Sequence, residues 1–263
     1  MKTISIDDYA NKYESLRMER QDGILEVVLH TNGGPMVFSK TVHDELGFVF
    51  ADIAADRENK VVVLTGTDDR FCTDFDPESF KSFNGLGDNI TASGWDQTIW
   101  RGQHNIRNLL DIPVPMIGVV NGPATVHCEL PLLCDIVLSS DTAVFQDASH
   151  FGNGVAPGDG IQVAMLLLMG LNRGRYFFLT EQKLSATEAL DLGLVNEVMP
   201  REQLMPRARE IAAKIAKMPP LALRYARTLL TGQLRQLMDV GVGYGLALEG
   251  LSAIDLPNYQ KGG

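Results

Sequence analysis

The sequence predicts an α/β protein, with a core of alternating strands and helices over residues 1–199 and a helical region over residues 200–263. Two observations carry this expectation. Short β-branched runs alternate with segments of helical period as far as Met199, the pattern of strands covered by helices. Beyond Pro200, amphipathic stretches follow one another with no strand between them. With 45% apolar and 21% charged residues in a chain of 263, the composition is that of a folded globular protein.

The elements follow in order. Leu16–Arg20 and Ile24–His30 alternate on either side of Gln21-Asp22-Gly23, a hairpin signal. A helix starts after Ser39 as N-cap, with Val42, Leu46, Val49 and Ile53 on one face. Lys60–Leu64 reads as a buried strand closed by Thr65-Gly66. Phe71–Phe80 reads as a polar, acidic turn region, and Asn84–Gly94 as a mobile loop rich in Gly, Asn and Ser. Asp96–Leu110 is helical, and Pro113 and Pro115 separate it from a strand at Met116–Asn121. Leu130–Cys134 is a short apolar helix feeding a strand at Asp135–Ser139, and Ala143–Gln146 is a further strand. After a loop rich in Gly and Pro, Ile161–Gly170 reads as a buried helix. Ser185-Ala-Thr-Glu188 is a capping box, and Gly193 stops the helix it opens. Leu194–Met199 closes the core; Glu202–Lys217 and Leu221–Leu237 are the helices of the tail, whose apolar faces suit packing on another subunit.

Charge and composition exclude several classes of function. A formal net charge of −10 opposes nucleic-acid binding, which needs clustered Lys and Arg. No stretch approaches the ~20 uninterrupted apolar residues of a membrane span, and the N-terminus lacks a signal core, so a cytoplasmic protein is expected. Cys72, Cys128 and Cys134 are odd in number with no Cys-x-x-Cys, which suits a reducing compartment. The histidines show no His-x-x-x-His or His-x-His spacing, so no metal is expected.

The chemistry is expected around Asn121-Gly-Pro-Ala-Thr-Val-His-Cys-Glu-Leu-Pro-Leu-Leu-Cys-Asp135, where a strand turns directly into a helix. Several backbone N–H groups are left unpaired there and can converge on one spot, as an oxyanion site requires. A second such turn, Phe71-Cys-Thr-Asp-Phe-Asp76, follows KVVVL. Together they resemble the paired oxyanion-hole segments of the crotonase, or enoyl-CoA hydratase/isomerase, superfamily. The resemblance extends through Pro157–Gly160, Leu179-Thr180 and Ala186–Leu194, and implies a spiral ββα core with a C-terminal helical region.

The departures from that pattern narrow the resemblance. Val126-His127 stands where the family has Gly-Gly-Gly, and Asp74, beside Asp68, Asp69, Asp76 and Glu78, stands where the first turn has Gly. Five carboxylates on that rim would repel a polyanionic nucleotide. Glu129 falls where hydratases keep one catalytic glutamate, but His150 stands near the expected second. These features, with His43–Gly47 (HDELG), Arg57–Thr67, Val120–Pro123, Phe145–Asp147, Leu223–Arg227 and Ala253–Leu256, are similar to the coenzyme-A-independent β-diketone hydrolases of the 6-oxocamphor hydrolase type.

That resemblance implies retro-Claisen hydrolysis of a C–C bond in a cyclic or bicyclic β-diketone to a keto acid, with no cofactor. Such a reaction needs a base for water, donors for a carbonyl and a proton for the departing carbon. His150 is the candidate base, as an imidazole half-neutral near physiological pH, and Asp159 its candidate orienting partner. His127 is the candidate carbonyl donor, and His43 and Glu249 match further polar site positions. Phe38, Phe75 and Glu129 are expected against the substrate; Phe38 replaces a tryptophan and offers no N–H. The resemblance also implies a homotrimer or a dimer of trimers. Two other readings remain: an acyl-CoA hydratase or isomerase using Glu129, and a catalytically silent binding subunit.

Overall fold

The computed structural model describes residues 4–84 and 90–261. A short helix α1 (Ile6–Tyr9) precedes the hairpin β1 (Leu16–Gln21) and β2 (Ile24–Leu29). Asp22 and Gly23 link the strands at φ of 54° and 84°, the left-handed pair that a two-residue hairpin requires. β3 (Val37–Phe38) leads into α2 (Lys40–Ala55), where the Ser39 side chain accepts from Val42 N–H as N-cap. β4 (Val61–Thr65) and β5 (Asp74–Phe75) follow, then α3 (Pro77–Asn84) and α4 (Ala92–Asp111).

The expected turn region over Phe71–Phe80 is thus a two-residue strand and the start of a helix. Asp76 nucleates that helix by accepting from Glu78 and Ser79 N–H. Of the expected mobile loop, residues 85–89 lie outside the described residues, and Ala92–Gly94 already belong to α4.

The chain continues as β6 (Met116–Val120), α5 (Glu129–Leu132), β7 (Ile136–Ser140), β8 (Val144–Phe145), α6 (Ile161–Met169), α7 (Leu171–Leu179), β9 (Leu184–Ser185), α8 (Ala186–Asp191) and β10 (Glu197–Met199). α7 has no counterpart in the sequence reading. The expected buried helix, α6, is half-exposed: Ile161, Ala164 and Met165 are buried, whereas Leu167 and Leu168 face outward. The tail holds three helices, α9 (Arg201–Ile215), α10 (Pro220–Leu230) and α11 (Gly232–Lys261), because the chain turns at Thr231 within the helix expected over Leu221–Leu237.

Six strands form the central sheet in the order β1-β2-β4-β6-β7-β10, parallel apart from the first hairpin. The period of two in β4 divides its side chains between two cores. Val62 and Leu64 join the main core with α2 and α4, whereas Val61 and Val63 meet Leu204, Ala208 and Ala212 of α9. The helices after Pro200 therefore do not form a separate layer: α9 closes one face of the sheet, and α11 packs on α4 and α6. Beyond the C-terminal ends of the strands, isolated bridges Cys72↔Ala124 and Ala124↔Phe145 stack successive strand–turn units on one another.

Candidate active site

Each parallel strand delivers its turn to the same end of the sheet, and there the eight candidate residues line one cavity of about 570 Å³. β3 supplies Phe38, α2 His43, β5 Phe75, and the turn before α5 His127. Glu129 opens α5, His150 and Asp159 flank the loop between β8 and α6, and Glu249 comes from α11.

The two turns that bear the family motifs are stitched together. Asn121 Nδ2 donates to the carbonyl oxygens of Asp68 (3.1 Å) and Arg70 (2.9 Å). A Cβ on Gly122 would lie 1.8 Å from the Asp69 carbonyl oxygen, so only glycine allows this approach. Phe71 and Cys72 N–H donate to Pro123 O, and Thr125 and Val126 N–H to Cys72 O. Those backbone donors, expected to converge on a ligand, hold the turns to each other instead. The chain then reaches His127 at φ 50°, a left-handed conformation costing a non-glycine residue about 1–2 kcal/mol. That strain sets the imidazole in the cavity where a glycine would leave only backbone.

Two imidazoles sit among four carboxylates. His127 Nδ1 lies 2.8 Å from Glu129 Oε1 and 3.3 Å from Asp159 Oδ2. His150 Nδ1 lies 2.7 Å from Asp147 Oδ1, and its Nε2 faces Asp159 Oδ2 at 3.7 Å and Glu249 Oε2 at 3.9 Å. The orienting partner of His150 is therefore Asp147, not Asp159. A loop that closes over three residues brings Asp147 to Nδ1, and Asp159 stands across the ring at Nε2. Asp147 lies inside the Phe145–Asp147 motif, and an acid three residues before a loop histidine was the signal that could have found it.

Burial alone would lower His150, but Asp159, Asp147 and Glu249 outweigh it and raise the imidazolium to about 10. The half-neutral imidazole expected from the sequence is thereby corrected: the carboxylate ring keeps His150 protonated at neutral pH. Burial likewise opposes charge on His127, yet Glu129 and Asp159 carry it above the ordinary histidine value. Burial lowers His43, which is 8% exposed and whose Nδ1 has no hydrogen-bond partner. Burial raises Glu249 to about 8. Asp159 goes the other way: burial would raise it, but His150 and His127 hold it below the usual carboxylate range. At neutral pH the cluster thus offers the His150 imidazolium, a His127 whose neighbours favour its charged form, a ready carboxylate acceptor in Asp159 and a protonated acid in Glu249.

His127, Glu129 and Asp159 each present a ligand atom, all within 4.8 Å of one another, so these three could hold a cation. His127 Nδ1 and Glu129 Oε1 already share a hydrogen bond of 2.8 Å there. Beside the cluster the wall is aromatic. Phe38 lies 3.7 Å from the His127 ring centre and stacks with Phe75 and Phe80, while Phe75 stands 41% exposed at the mouth. Burial pushes the Cys72 and Cys134 thiols up to about 12, which excludes a thiolate nucleophile at either. Of the five acids on the rim, Asp69 and Asp74 flank Arg70 and Asp76 caps α3, so the rim is less repulsive than its count suggests.

A stack of strand–turn units with a polar cluster at their C-terminal ends defines a crotonase-type α/β protein. The chain belongs to the enoyl-CoA hydratase/isomerase family, whose profile it matches over residues 19–240. It is 28% identical to the short-chain-enoyl-CoA hydratase of Clostridium acetobutylicum over 229 residues, covering 86% of this chain and 85% of that protein. A probable peroxisomal enoyl-CoA hydratase of Arabidopsis thaliana is 30% identical over 78% of this chain and 72% of its own length. Among solved structures, a β-diketone hydrolase from the cyanobacterium Anabaena sp. PCC 7120, bound to (S)-3-oxocyclohexyl acetic acid, superposes with a TM-score of 0.90. It is 48% identical, over 95% of this chain and 98% of that one. An enoyl-CoA hydratase/isomerase from Mycobacterium paratuberculosis, 23% identical with a TM-score of 0.84, shares the fold.

Proposed function

We propose that the protein hydrolyses a C–C bond of a cyclic or bicyclic β-diketone to give a keto acid, without coenzyme A. The observation that carries this reading is the facing pair His150 Nε2 and Asp159 Oδ2, 3.7 Å apart at the cavity wall. That gap is too long for a direct hydrogen bond and leaves both atoms able to hold one water on the cavity side of the pair. The 48%-identical β-diketone hydrolase supports the substrate class, since its bound keto acid is what hydrolysis of a bicyclic 1,3-diketone leaves.

The resting charges assign the roles. Asp159 takes the proton from water as it attacks one carbonyl carbon. His127, whose charged form Glu129 and Asp159 favour and whose Nδ1 is engaged by Glu129, turns Nε2–H to the oxygen on which charge develops. Collapse of the tetrahedral alkoxide breaks the bond to the central carbon and leaves an enolate, which the neutral Glu249 carboxyl protonates on carbon. His150 stays charged beside the developing anions, and Asp147 positions it. In the competing hydratase reading Glu129 meets the substrate, but its side chain is 1% exposed and bound to His127.

Turnover of a bicyclic 1,3-diketone by wild type, Asp159→Asn and His150→Ala tests the proposal. Either substitution is expected to cost about 10²–10⁴ in kcat. Wild-type rates from both folded variants would refute the role of the pair.

A further inference from the structure

The candidate cavity has two unlike ends. His127, His150, Asp159 and Glu249 gather at one, and the other lies between α4 and the last turns of α11. Leu246, Glu249, Ala253 and Leu256 line the cavity from α11. Their spacings of three, four and three residues put them on one face of the helix. By helical rise, Ala253 stands ~6 Å and Leu256 ~10 Å beyond Glu249. The cavity therefore runs past the acid for about two turns of helix, from the cluster to the half-buried Leu256.

α4 makes this second end apolar. Trp95 is 7% exposed, and its Nε1 donates to the Leu246 carbonyl oxygen at 2.8 Å. Its indole lies directly on the α11 backbone, since a Cβ on Gly250 would stand 2.1 Å from Nε1. Thr98 Oγ1 donates to Gly94 O at 3.4 Å, and Asn105 Nδ2 to His43 O at 3.0 Å. These donors of α4 are committed to backbone, and Trp95, Leu246, Ala253 and Leu256 bring ring and hydrocarbon surface to the cavity. Among the described residues lining it, none is Lys or Arg, so an anionic arm such as a nucleotide phosphate finds no counter-ion here.

Resting on the β-diketone reading of this site, we propose that the substrate carries a hydrocarbon substituent remote from its carbonyls, and that Ala253 sets how long that substituent can be. A cavity of about 570 Å³ has the size that takes a drug-sized ligand, and a bare bicyclic diketone held at the cluster leaves the apolar end unfilled. A wall of this kind holds water poorly. A hydrocarbon arm instead buries itself between Trp95 and α11, each methylene adding about fourfold to binding. Ala253, 5% exposed, has the smallest side chain on that face of α11, so the path is open where a leucine would close it.

The test is turnover, by the full chain, of bicyclic 1,3-diketones bearing hydrogen, methyl, propyl or pentyl on a carbon remote from both carbonyls. In wild type, kcat/KM for the pentyl compound should exceed that for the methyl compound by about tenfold to a hundredfold, mainly through KM. Ala253→Leu should lower that ratio about tenfold or more, by closing the path. Leu256→Asp changes a half-buried position at the far end and should lower the ratio by charging the wall, which keeps the test sound where Ala253→Leu fails to fold. Equal kcat/KM across the series, or a pentyl preference that neither folded variant alters, overturns the proposal and leaves the reaction standing. No turnover of any member refutes the reaction and this proposal with it.

Discussion

His150 is held from both sides of its ring, and this decides what it can do. Asp147 fixes Nδ1 at 2.7 Å and leaves Nε2 toward Asp159 and Glu249. Asp147→Asn keeps the shape and removes the charge, so the His150 imidazolium should lose its proton at lower pH, read by NMR titration of the ring. Turnover should fall about 10²–10⁴-fold, the cost of losing a buried carboxylate behind a histidine. An unmoved His150 titration would make Asp147 merely structural. The pH profile separates the two candidate acceptors. With Asp159 accepting, kcat/KM stays flat through pH 6.5 and falls as Glu249 loses its proton near 8 and His150 near 10; with His150 accepting, it climbs with pH through the neutral range instead. Stability has its own sign. His150 and Glu249 bind their protons more tightly folded than unfolded, so their contribution is complete below the unfolded values and is lost as pH rises through about 8 and then about 10. Thermal melts from pH 6 to 10 should show that decline. The candidate residues were legible because motif order survives in the chain. Asp147 was not, because its contact depends on how one loop closes.

At the scale of elements, the cavity depends on two glycines that let backbones touch. A Cβ on Gly245 of α11 would lie 2.4 Å from the Gly158 carbonyl oxygen, and one on Gly158 would lie 2.3 Å from Gly245 O. This approach sets Glu249, one turn along α11, beside the loop that carries Asp159. Gly245→Ala should force the two apart, costing about 1–3 kcal/mol in chemical denaturation and lowering kcat more than it raises KM. Unchanged kcat in a folded variant would show that the approach does not set the site. Hairpin, N-cap and capping box were legible because each rests on neighbours in sequence: Asp22-Gly23, Ser39 and Ser185 with Glu188. α3 was hidden by its acidic start and α7 by its mixed face, and the turn at Thr231 by apolar residues continuing on both sides. The closing of the cavity by α11 is a long-range contact that no local pattern announces.

The molecule as a whole leaves large apolar side chains outside. Leu171, Leu179, Tyr225, Leu229, Leu230 and Tyr244 are each more than half exposed, on α7, α10 and α11. Within residues 232–256 of α11, an 18-residue window reaches the mean hydropathy, 1.3, of a membrane span although charged residues interrupt the stretch, and 33% of that window is buried inside the fold. Arg235, Asp239 and Glu249 along it, with its packing on α4 and α6, fit a helix covered by protein better than one in lipid. A homotrimer or a pair of trimers is the proposed cover, and light scattering should report a multiple of three subunits; a particle of 28.8 kDa would refute it. The central claim is the reaction, and one measurement addresses it most directly. The purified protein is offered a bicyclic 1,3-diketone and, separately, a crotonyl thioester of coenzyme A, and the products are read by mass spectrometry. Hydrolysis of the diketone to a keto acid, one water heavier, with the thioester untouched, is the predicted result. Hydration of the thioester with the diketone recovered unchanged would contradict the account.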